Sequence, residues 1–216
     1  MERRVADVLW EMLAKAGVKR CYGIVGDALN PVIDALRRNG EIEFIHVRNE
    51  EYGVFAAVAD SYLSGNPVAV CGTAGPGVVH LFNGLMDARK EGAAIIAIAG
   101  DVKTKLIDTA ALEELNPYKF FDTACLYVGR VVNPEQVRAV VTTAIMTAVV
   151  DKGPTLIDAR RHRSGQGAGT FCSRLHGRRS PRDAPSRPGS RQAGRNGRGG
   201  EQGGDFRRRR LPRCAR

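Results

Sequence analysis

The chain has 216 residues and a formal net charge of +10, but that charge is unevenly divided. Residues 160–216 hold 17 Arg, no Lys and three acids, whereas residues 1–159 hold 16 basic and 20 acidic side chains, so a mildly acidic body precedes a polycationic tail. No run in the body reaches the roughly 18 apolar residues of a membrane span. Met1-Glu2-Arg3-Arg4 opens a pattern interrupted by Asp7 and Glu11, not a signal-peptide core. The five cysteines have no C-x-x-C spacing, which argues against a zinc site or a disulfide framework and makes a reduced, cytoplasmic setting the default expectation.

Val5, Val8, Leu9, Met12, Leu13 and Ala16 fall on one helical face between residues 3 and 16, and Gly17 ends that helix. "VKRCYGIVG" predicts a short strand ending at Gly26. "DALNPVIDALRR" predicts a helix with Asp27 as its N-cap and Pro31 in the first turn. "IEFIHV" is a second strand and residues 50–64 the next helix. "PVAVCGTAGPG" is a strand with a glycine-rich turn, residues 77–91 another helix, and "AAIIAIAG" another strand. After a loop, "LYVGRVV" is a strand. "NPEQVRAVVTTAIMTAVVD" is a helix with Asn133 as cap and Pro134 at its first position, and "GPTLID" is the last strand. Apolar strands alternating with helices predict an α/β fold, a doubly wound parallel sheet with helices on both faces.

In such a sheet, ligands sit outside the carboxyl ends of the strands. Those ends carry Gly26-Asp27, Asn49-Glu50, Thr73 to Gly77, and Gly100-Asp101. There is no G-x-G-x-x-G after the first strand, no phosphate-loop lysine motif and no G-x-S-x-G elbow, and the four histidines lack metal-ligand spacing, so no metal ligand is assigned. Taken alone, "GIVGD" and "GTAGPG" read first as ordinary βα turns, and alternatively as bare backbone on which a flat ligand could rest. Glu50 and Glu51 have two readings as well. Acids in a first helical turn suit the macrodipole, by ~0.3–1 kcal/mol each. Alternatively, a carboxylate at the inner edge of an apolar cleft is partly desolvated and suited to sharing a proton.

Taken in order, "YGIVGDALNPVIDAL", "IHVRNEEYGVFAAVAD", "GTAGPGVVHLFNGLMDA" and "AAIIAIAGD" resemble the N-terminal, pyrimidine-binding domain of the thiamine diphosphate-dependent enzymes. The resemblance is to the branch of pyruvate oxidase and quinone-dependent pyruvate dehydrogenase, with acetolactate synthase as the alternative. It implies that Glu50 hydrogen-bonds the N1′ atom of the cofactor's aminopyrimidine and drives the ring to the imino form that removes the thiazolium C2 proton. Glu51 is then left to cap the helix. It further implies that Val25, Gly26, Thr73, Pro76, Gly77 and Asn83 line the cofactor, with His80 and Phe121 on the substrate side. Pyruvate is the implied substrate, and Mg²⁺ and FAD the further cofactors of the full-length family.

The resemblance covers residues 1–158 as one domain. It implies two further domains, for the flavin and for the metal-bound diphosphate, that these motifs do not include. On that ground the chain alone is expected to lack turnover. The family builds its site between subunits, which makes a homo-oligomer, or a non-catalytic pairing with a full-length homologue, the expected assembly. Residues 159–216 contain little apolar sequence and no periodicity, and are expected to be disordered. Their Arg, Gly and Pro content reads as GC-rich codons translated out of frame, or as a nucleic-acid-binding arm; nucleic acid is not the expected partner.

Overall fold

The computed structural model describes residues 4–159. The expectations of a disordered, out-of-frame or nucleic-acid-binding tail therefore lie outside the described residues. Six parallel strands form one sheet: β1 (Arg20–Gly23), β2 (Glu43–His46), β3 (Val68–Gly72), β4 (Ile95–Ala99), β5 (Tyr127–Arg130) and β6 (Thr155–Asp158), in the order β2-β1-β3-β4-β6-β5. Six α-helices accompany them: α1 (Val5–Lys15), α2 (Asn30–Asn39), α3 (Glu50–Ser64), α4 (Pro76–Glu91), α5 (Pro117–Phe121) and α6 (Val137–Val150). This is the expected doubly wound α/β fold.

Alternation along the strands feeds two cores, because successive side chains leave a sheet on opposite faces. On one face Cys21, Ala69, Ile96, Ile98 and Ile157 meet Leu9, Trp10, Leu13, Leu36 and Val141 from α1, α2 and α6. On the other, Val70, Ile95, Ala97 and Leu156 meet Val54, Leu81, Leu85 and Phe121 from α3, α4 and α5. Burial of each such large side chain contributes about 1.5–3 kcal/mol. The central strands β3 and β4 are buried along their whole length, as the apolar runs require, while β2 at the edge is partly exposed. Trp10 is wholly buried and donates its indole N–H to the carbonyl of Val32 at 2.7 Å, so its polar atom is satisfied. Among the described residues no helix is long and apolar enough to cross a membrane.

Three local expectations change. Asp27 does not cap α2: it opens a 3₁₀ turn, Asp27–Leu29, closed by the Leu29 N–H on the Gly26 carbonyl at 3.0 Å, and its side chain makes no cap bond. Pro31 has no N–H to reach the carbonyl of Asp27, so an α-type bond cannot form there and the tighter turn takes its place. Pro134 likewise begins a 3₁₀ turn, Pro134–Gln136, and not α6 itself, although Asn133 does cap it through the Glu135 N–H at 3.2 Å. The short α5 falls in what reads as a loop. Its five residues are too few to show a period, and its carbonyl end is held from afar by Arg89, which donates to the carbonyl of Thr123 at 2.7 Å.

The carboxyl ends of β4, β5 and β6 are tied by charge. Arg130 lies 2.6 Å from Asp158 and 3.6 Å from Asp101, with its guanidinium over the Tyr118 ring at 5.4 Å. Across the sheet, α3 and α4 pack closely enough that a Cβ on Gly84 would lie 2.4 Å from the Cβ of Val54. Overpacking of this kind costs about 1–3 kcal/mol. Gly84→Ala should therefore lower the urea midpoint by that much stability without changing the denaturant slope.

Burial pushes the Cys125 thiol up to about 12, and a hydrogen bond with Cys71, reinforced by burial, holds Cys21 well above its usual value. Both thiols ionise first in the unfolded chain, near the ordinary value of 9.0. The stability they contribute is thus complete below that pH and is lost as pH rises toward the folded values. The urea midpoint should fall between about pH 9 and pH 12, and fall less steeply in Cys125→Ala.

Candidate functional site

The sheet order reverses between β1 and β3: the chain leaves β1 toward α2 on one face and β3 toward α4 on the other. A crevice at such a point is where open α/β sheets bind ligands. Here the two turns touch. A Cβ on Gly26, after β1, would lie 2.3 Å from Oγ1 of Thr73, after β3. The β1 turn is thus bare backbone pressed against a threonine. Gly75 has φ +66°, a conformation that L side chains rarely adopt, and it turns the chain sharply so that α4 can begin at Pro76.

α3 begins as the sequence predicts. Asn49 is extended and its side chain accepts the Glu51 N–H at 2.8 Å, which places Glu50 at the first helical position. Glu50 is only 5% exposed. Its Oε2 lies 3.0 Å from Nδ1 of His80, on the first turns of α4. Its Oε1 points to Gly77, where a Cβ would sit 3.0 Å away. One carboxylate oxygen is therefore anchored and the other faces bare backbone. Glu51 does not close the cap itself; its Oε1 accepts from Asn83 Nδ2 at 2.9 Å, a second rung between α3 and α4 one turn further on.

The residues predicted from sequence thus fall into three groups. Gly26, Thr73, Gly77, Glu50 and His80 form a continuous run of neighbours, each within reach of the next. Val25 and Pro76 are exposed on the two turns, and Asn83 joins through Glu51. Phe121 does not belong: it is fully buried, 5.9 Å from the Phe82 ring and 5.0 Å from the Phe120 ring, so it presents no surface to a substrate. Its apolar ring packs in the core under α4. Sequence reasoning missed Glu113, whose Cβ lies 2.8 Å from where a Cβ on Gly75 would be and which thereby covers the β3 turn. No local signal marks it, since it arrives from a loop nearly forty residues later. Behind that turn a small cavity is lined by Gly75, Asp101, Glu113 and Asp158 among others, at the β4 and β6 ends and away from Glu50.

The donor set suits a heteroaromatic ring bearing a ring nitrogen: Oε1 of Glu50, the oxygen not held by His80, can share a proton with that nitrogen. Among the described residues no cluster of three or more His, Cys, Asp or Glu is placed to hold a metal ion. Fold and site together define a ligand-binding α/β domain with a buried carboxylate at its switch point.

The chain belongs to the thiamine pyrophosphate enzymes: the family described as the N-terminal TPP binding domain matches residues 3–120. An uncharacterised 42.6 kDa protein in the isoamylase 3′ region of Pseudomonas amyloderamosa is 42% identical over 154 residues, 71% of this chain and 39% of that protein. Pyruvate oxidase of Lactiplantibacillus plantarum is 35% identical over 149 residues, 68% of this chain and 24% of that enzyme. Chloroplastic acetolactate synthase of Arabidopsis thaliana is 31% identical over 157 residues, 72% of this chain and 23% of that enzyme. The chain thus spans no more than 39% of the length of these relatives.

Glu50→Gln keeps the side-chain volume and can still bond His80, whereas Gly26→Ala drives a methyl into Thr73. The first should cost less than about 2 kcal/mol and leave the circular dichroism spectrum unchanged. The second should cost more, as a shift in melting temperature will show.

Proposed function

We propose that this domain holds the aminopyrimidine half of thiamine diphosphate in an enzyme of the pyruvate oxidase type, with Glu50 as the group that binds the ring nitrogen. The observation that carries this reading is the division of Glu50, with Oε2 held by His80 and Oε1 facing Gly77. When bound, thiamine diphosphate supplies the nucleophilic carbon and the electron sink that decarboxylation of a 2-keto acid such as pyruvate requires. The chain's own residues bind, orient and exchange protons. Gly26, Thr73 and Gly77 receive the ring, Val25 and Pro76 flank it, and Asn83 fixes Glu51 so that the first turn of α3 stays in place. A carboxylate with 5% exposure is shielded from water, so a proton it shares with the ring is not diverted to solvent.

The identity to pyruvate oxidase supports the oxidase branch, and acetolactate synthase is the alternative. In this reading Mg²⁺ and FAD belong to the further domains of the full-length family, and residues 4–159 supply half of a site.

A second reading, pairing with another subunit without its own turnover, is favoured by α3. Tyr52, Phe55, Tyr62 and Leu63 lie along its outward side, and the last two are 77% and 84% exposed. A stripe of that kind marks an interaction surface.

The test uses thiamine without phosphates, because the 17 arginines of residues 160–216 would attract a diphosphate regardless of the site. Titration followed by nuclear magnetic resonance should shift the amides of Gly26, Thr73 and Gly77 with an affinity on the order of millimolar, as a ligand of this size implies. Gly77→Ala should abolish the shifts while the protein stays folded. Absence of any shift at saturating thiamine, or shifts indifferent to Gly77→Ala, would sink the assignment.

A further inference from the structure

Glu50 Oε2 and His80 Nδ1 are 3.0 Å apart, and the two side chains differ sharply in exposure, 6% for Glu50 and 47% for His80. An ionised carboxylate can only accept, so a neutral His80 must carry its proton on Nδ1 and leave Nε2 as a lone pair. That is the less populated tautomer of a free imidazole side chain, and the buried carboxylate selects it. The bond also works in the other direction. Glu50 has several side-chain torsions, and its Oε1 lies against Gly77, beside the Thr73 side chain. Apart from the helix that starts it, the His80 bond is what fixes which oxygen faces Gly77.

We propose that His80 is the positioning residue of this site: it anchors Oε2 of Glu50, presents Oε1 to the ligand, and is itself locked as the Nδ1–H tautomer, so that its Nε2 is an acceptor. The inference rests on Glu50 being the ring-binding group. It adds a chemical requirement, because the site then offers two acceptors, Glu50 Oε1 and His80 Nε2. A ligand group that meets His80 must donate a hydrogen bond to it. His80 acts through Glu50, and the imidazole is needed for its Nδ1 donor and not for its bulk.

Long-range ¹H–¹⁵N correlation spectra of the full chain near neutral pH test the tautomer directly. The expected result is a protonated Nδ1 and a bare Nε2 in the parent protein, with reversion toward Nε2–H in Glu50→Ala. A parent protein already in the Nε2–H form overturns the proposal, and so does a tautomer unmoved by Glu50→Ala. Positioning is tested by thiamine titration of two variants. The amide nitrogen of Asn occupies the place of Nδ1, so His80→Asn should keep the affinity within about twofold, while His80→Ala should weaken it about fivefold or more. Equal loss in both variants, or none in His80→Ala, also overturns the proposal. Should thiamine fail to bind the parent protein, the reading of the site as a pyrimidine site falls, and the tautomer spectra still decide the role of His80.

Discussion

The closeness of α3 to α4 is the constraint on which the site depends. Gly84 allows it, because any side chain there would occupy the space of Val54. At that separation the first turns of the two helices exchange two side-chain hydrogen bonds, Glu50 with His80 and Glu51 with Asn83. Neither bond spans more than 3.0 Å, so a small outward shift of either helix would break both. The carboxylate of Glu50 is therefore placed by a packing contact midway along α4.

The sheet supplies the other half of the geometry. Because β2 and β3 lie on opposite sides of β1, the connections after β1 and β3 run to opposite faces, and at this switch point the backbone of Gly26 meets the side chain of Thr73. α3 enters from the far side of β1, and its N-terminus delivers Glu50 there. Fold and chemistry are joined at one point. The charge cluster of Arg130, Asp101 and Asp158 lies further along the same edge, at the carboxyl ends of β4, β5 and β6, where it holds three strand ends together.

Much of this was legible in the sequence because the signals were local. Asn49 before two acids and an apolar repeat gave the start of α3 to the residue, and the apolar runs gave β3 and β4. Where a distant group decides the outcome, local reading failed. Arg89 stabilises the end of α5, and Phe121 packs under α4 against the ring of Phe82. The pairing of Glu50 with His80 spans 30 residues, and no spacing in a single sequence announces it.

The absent methyl groups at Gly26, Gly77 and Gly84 also have a consequence for heredity. Glycine is the smallest residue, so every amino-acid replacement at these three codons enlarges the side chain, and each would meet an atom within 3.0 Å. Genetic variation has no conservative step to take there. At Gly26 and Gly84, where the clash is at 2.3 and 2.4 Å, such alleles would act first on how much folded protein a cell accumulates and only then on what that protein does. A screen that scored activity alone would therefore record them as site lesions.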